Sequence, residues 1–201
     1  MFVFLFMIII SSVVVILVYD VEVNEEEVEN VSEKINDDKV IEFEQGGESV
    51  VVVSFVEQTL EYNTSQKVMD LINSFEVIER DGNLLPAKTV YEAGEGTEYD
   101  LLRLALNILL NHNIQGSLIV YEYGENIGAV VNFRDVEQPM YYYFEEGIMK
   151  MSHHGWSFDE LISTEENRLG IEVNRYGALF EGDMRGDKNL NIIDVEMWKE
   201  R

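Results

Sequence analysis

The chain has 201 residues, 14 Lys and Arg against 39 Asp and Glu, a formal net charge of −25, and no cysteine. That balance excludes a basic nucleic-acid footprint, because a phosphate backbone would be repelled rather than neutralised. The lack of cysteine excludes disulfides, thiolate metal sites and cysteine nucleophiles.

Met1 to Tyr19 is one apolar run, interrupted only by Ser11 and Ser12. As a helix, about 19 residues reach roughly 29 Å, close to the ~30 Å hydrocarbon core. The two serines can bond back to carbonyls of the preceding turn at little cost in lipid. Residues 1–19 are therefore expected to form a transmembrane anchor, with the membrane as first partner. A cleaved signal peptide is the competing reading, but the run has no basic start and no A-x-A-like exit before Asp20. No Lys or Arg precedes Lys34, so the positive-inside rule has little to count, and seven acids lie between Asp20 and Glu33. The body beyond is expected to be extracytoplasmic.

Residues 20–48 hold twelve acids and two lysines, ending near Gly46-Gly47. Such a run reads as a solvated, self-repelling stem, with Val40–Glu44 as a short strand. Residues 49–180 form the expected folded domain. Ser49–Tyr62 opens β-branched and then takes helical spacing, so it reads as strand or helix. Val68–Phe75 reads as a helix, Asp81-Gly82-Asn83 as a turn, and Pro86 marks a new start. Thr97 and Asp100 have capping-box spacing before LLRLALNILLN, whose leucines cover most of the circumference and predict a buried central helix. Ser117–Tyr123, Ile127–Arg134 and Met140–Glu145 read as an antiparallel meander, with Gly170–Val173 and Ala178–Glu181 as further strands. The class is α+β: a buried central helix packed on an antiparallel sheet.

The pieces SFVEQTLEY, LPAKTVYEAGEGTEYDLLRLALNILLNHNIQGSLIVYEY, IGAVVNF and MYYYFEE follow one another in an order that resembles the transglutaminase-like (papain-like) superfamily, particularly its membrane-associated archaeal members. They cover roughly Ser49 to Glu146. In that family a G-x-C-x-D segment sets a nucleophilic cysteine on the first turn of the buried helix, where the helix end lowers a thiol pKa. Here the segment is Gly96-Thr97-Glu98-Tyr99-Asp100, with Glu98 at the cysteine position. The family histidine falls at Gly128, or at Ile127 if the register shifts by one, and the acidic third member at Glu145. The resemblance thus implies the fold without the thiol chemistry, and no cofactor. A carboxylate at Glu98 is expected to gain about 0.3–1 kcal/mol from the helix start.

Other groups have plainer readings. His153-His154, adjacent on a strand, would point to opposite faces and cannot jointly grip a metal, so they read as surface histidines. The aromatics of Met140–Phe144 read as packing. His112 suits a helix end. Residues 181–201 hold Asp183, Asp187, Asn189, Asn191 and Asp194 at calcium-loop spacing. Arg185 takes a ligand position and Lys188 that of the sharp-turn glycine, so a hairpin is the favoured reading over a calcium loop.

Three functions follow as expectations. The first is an anchored, catalytically inactive domain that binds a protein or peptide or acts as a scaffold. The second is a hydrolase using Glu98 and Glu145 as a carboxylate pair. The third is a structural subunit of a surface assembly.

Overall fold

The computed structural model describes residues 54–135, 138–179, 189–192, 195 and 198–201 in full, and the backbone alone of 2–10, 13–21, 41–45 and 48–52. The chain divides into two units, Met1–Val52 and Val53–Arg201.

In the first unit, β1 (Phe2–Ile10) pairs antiparallel with β2 (Val13–Val21), and β3 (Ile41–Gln45) with β4 (Glu48–Val52). The short strand expected near Val40–Glu44 is β3. The run expected as one helix over residues 1–19 instead carries β1 and most of β2. Val, Ile and Phe dominate both segments, and these residues suit extended backbone. Among the described residues no helix is long and apolar enough to cross a membrane.

The second unit is α+β, as its sequence pattern predicts. It opens with α1 (Phe55–Gln58), closed at its start by a capping box from Ser54 and Glu57. Thr64 caps α2 (Ser65–Ile72), which buries Val68 and Ile72. The short parallel pair β5 (Glu76–Val77) and β6 (Glu95–Gly96) brackets α3 (Ala87–Ala93). Gly94 ends α3 at φ 71°, left-handed backbone that a glycine adopts without strain.

The central helix is α4 (Glu98–Asn111), and every residue from Asp100 to Leu110 is buried. The expected capping box forms: Thr97 Oγ accepts from the Asp100 amide, and the Asp100 carboxylate accepts from the Thr97 amide at 3.0 Å. Each leucine so enclosed contributes about 1.5–3 kcal/mol relative to exposure. Arg103 is also fully buried; its guanidinium donates to the carbonyls of Leu84 and Leu85 at 3.3 and 2.8 Å.

The meander follows as β7 (Gly116–Tyr123), β8 (Asn126–Asp135), β9 (Gln138–Glu145) and β10 (Ile148–His153). After α5 (Phe158–Leu169) come β11 (Arg175–Leu179) and β12 (Lys199–Glu200). All six strands join one antiparallel sheet in the order β10-β9-β8-β7-β11-β12. The two-residue period sorts side chains to the two faces. Leu118, Val120, Val131 and Tyr142 pack with α4, whereas Ile119, Tyr121, Val130 and Tyr141 pack with Leu161 and Ile162 of α5. The sheet is therefore buried between two helical layers.

Two strand expectations shift. Gly170 is not strand but the left-handed cap of α5, at φ 67°, and the strand begins at Arg175. In the tail, β12 pairs with β11, and Leu190 forms an isolated bridge with Leu84. The expected turn of the hairpin lies outside the described residues.

Candidate functional site

A recess of about 150 Å³ opens where the first turn of α4 meets the β7–β8 end of the sheet. Glu98, Tyr99, Ile127 and Phe144 line it from α4's side, and Tyr121 and Arg168 from the other. The Tyr99 hydroxyl donates to the Ile127 carbonyl at 2.7 Å, fixing the helix start against β8.

Of the three positions that the resemblance maps, Glu98 and the strand of Ile127 and Gly128 meet at this recess, and Glu145 does not line it. Glu98 and Gly128 line the same recess, but Gly128 pairs directly with Tyr121, whose side chain packs in the α5 layer. A Cβ on Gly128 would lie 2.4 Å from the Tyr121 ring, so any side chain there would point into that layer and collide. Ile127 is the residue of this pair that packs in the α4 layer. The same alternation corrects Glu145: Phe144 packs with α4, and Glu145 turns to α5, where it pairs with Lys150 and lies 3.8 Å from Arg168. A one-residue register step reverses a strand's faces, so of the two histidine positions the resemblance allows, Ile127 is the one on the face of Glu98. On the face of Glu98 the corresponding residues are Ile127 and Phe144, both apolar.

The electrostatics of the recess centre on Glu98. Its carboxylate is half-buried and makes no hydrogen bond or ion pair among the described residues; burial pushes its pKa above the ordinary glutamate range. The neighbouring cation is already neutralised. Arg168 grips the fully buried Glu165 with two bonds of 2.8 and 2.6 Å, and its guanidinium stacks 4.1 Å from the centre of Tyr143. Tyr121 donates to the same carboxylate at 3.1 Å. Glu145 is a poor general base: Lys150 holds its pKa below the ordinary range.

Sequence reasoning missed Glu165 and Arg168 because α5 was not anticipated. Its signal is present in Ser157 and Glu160, a capping box followed by apolar Leu161 and Ile162. The remaining candidates lie elsewhere. Asp183, Asp187 and Asp194 of the calcium-loop spacing fall outside the described residues; Asn189 is exposed and Asn191 half-buried. Among the described residues no group of three His, Asp or Glu could hold a metal ion. His112 caps α4 and its Nε2 sits 3.1 Å from the Thr59 carbonyl. His153 is exposed as expected, but His154 is half-buried with Nε2 2.8 Å from Asn132 Oδ1.

The chain matches no protein-family model, and no curated protein matches it.

Proposed function

We propose that the chain is a membrane-anchored, catalytically inactive domain of the transglutaminase-like kind, which binds a protein or peptide partner outside the cell membrane. The observation that supports this most directly is the make-up of the recess at the start of α4. Glu98 stands at the position the resemblance gives to the nucleophile, and the neighbours on its own face are Ile127 and Phe144. Thiol catalysis needs an activated sulfur beside an imidazole, and neither residue type is available on that face. A carboxylate pair from Glu98 and Glu145 is disfavoured, because the two belong to opposite faces of the sheet.

What the recess retains is a negative charge with aromatic walls. An unpaired, partly desolvated carboxylate beside Tyr99 and Tyr121 suits a cationic group of a partner. The net charge of −25 steers basic partners in the same sense. Anchoring rests on residues 1–19: a two-stranded pair leaves unpaired edges in lipid, so a bilayer favours the helical state of the same apolar run.

The test is an assay of the intact chain with a glutamine-containing peptide, with and without an amine acceptor. Neither ammonia release nor amide exchange is expected. A turnover that Glu98→Gln abolishes while circular dichroism stays unchanged would overturn the proposal.

A further inference from the structure

The opposite end of the sheet carries a second concavity, on the α5 face. Two adjoining recesses of about 330 and 320 Å³ share Pro139, His154 and Trp156. They sit at the start of β7, the end of β8 and the start of β9. Although the chain has 39 Asp and Glu, no carboxylate is among the described residues that line them. The nearest acid on α5, Glu160, is turned back onto the Ser157 amide and hydroxyl at 2.9 and 3.0 Å.

Two side chains there stand out. Trp156 is 70% exposed, the most open large apolar side chain described. Arg134 forms no ion pair among the described residues, in a chain where carboxylates outnumber cations more than twofold. Its guanidinium lies 5.3 Å from the Trp156 ring centre. A guanidinium stacked on a ring keeps its N–H edge free for a planar carboxylate. Deeper in, His154 Nε2 meets Asn132 Oδ1 at 2.8 Å, and its Nδ1 is buried with no hydrogen-bond partner among the described residues. The side chains of Gln115 and Gln138 line the groove with no hydrogen bond of their own among the described residues.

We propose that this groove binds an acidic sugar unit, with its carboxylate on the N–H edge of Arg134 and the C–H face of its ring on the Trp156 indole. The electron-rich face of an indole attracts the weakly positive C–H bonds of a pyranose. The free amides of Gln115 and Gln138 offer donors and acceptors for hydroxyls. An acidic peptide fits less well. The groove lies across strand ends, not along a sheet edge, and Pro139 has no N–H, so an extended peptide gains no ladder of backbone bonds. The acidity of the rest of the chain does not forbid a short anion, since charges beyond about 8 Å are screened at physiological salt.

Calorimetric titration of the intact protein with trigalacturonate tests this. Saturable binding is expected, weakened about tenfold or more for the neutral methyl ester of the same trisaccharide and for a triglutamate peptide. Arg134→Gln and Trp156→Ala should each weaken it by a similar factor with circular dichroism unchanged, both side chains being exposed. Glu98→Gln should leave it untouched, which separates this groove from the recess at α4. No binding, equal binding of triglutamate, or binding that survives Trp156→Ala would overturn the proposal.

Discussion

Two carboxylates in the first turn of α4 meet opposite fates. Asp100 is fully buried and saturated: Arg80 bonds both its oxygens at 3.1 and 2.9 Å, and the Leu85 and Thr97 amides and the Thr97 hydroxyl add 2.7, 3.0 and 2.8 Å. Glu98, two residues earlier, is half-buried with no partner at all among the described residues. Two helical steps turn a side chain by roughly 200°, which sends Asp100 into the loop before α3 and Glu98 into the recess. One acid thus holds the structure together. The other is left with unused bonding capacity, which is what a receiving site requires.

The sharpest way to break this contrast is Asp100→Ala. It strands the Arg80 charge and three other donors, and removing one partner of a buried pair costs about 3–5 kcal/mol. A large fall in the urea midpoint is expected. Arg80→Met comes next. Arg80 is 29% exposed, and the remaining donors still satisfy Asp100, so loss of its charge-assisted bonds should cost about 1.5–3 kcal/mol in the same titration. If either change left stability untouched, Asp100 would be no more structural than Glu98.

How much of this was legible follows from which signals are local. The Thr97–Asp100 box and the apolar girth of α4 are written within fifteen residues and reappear as read. The three strands from Ser117 to Glu145 were legible too, because their alternation is local and Gly124, with left-handed backbone at φ 58°, marks the first turn; β10 was not anticipated. The candidate site was half legible. Glu98 follows from the helix start alone, but its neighbours depend on strand register, where one step exchanges Ile127 for Gly128 and Phe144 for Glu145. The polar cluster of Tyr121, Glu165 and Arg168 was not legible without α5. The partners of Asp100 were hidden for another reason: Arg80 lies 20 residues away in a segment with no periodic pattern.

The smallest expected effect is the most discriminating. Burial raises the Glu98 pKa in the folded chain above its unfolded value. An acid shifted this way binds its proton more tightly when folded, so its penalty is full above the folded pKa and vanishes below the unfolded one. Glu98→Gln should therefore be slightly more stable than the parent at neutral pH, within about 0.5 kcal/mol. The gap should close as pH falls below the ordinary glutamate range. A capping role predicts the reverse, since a charge favoured by the helix end would make Glu98→Gln the less stable protein at neutral pH and its equal in acid. Paired urea titrations across that range read the sign directly. A stabilised Glu98→Gln identifies a carboxylate kept at a cost to the fold, as expected of a group held for a partner. A destabilised one would assign Glu98 to the helix alone and leave the recess without its charge.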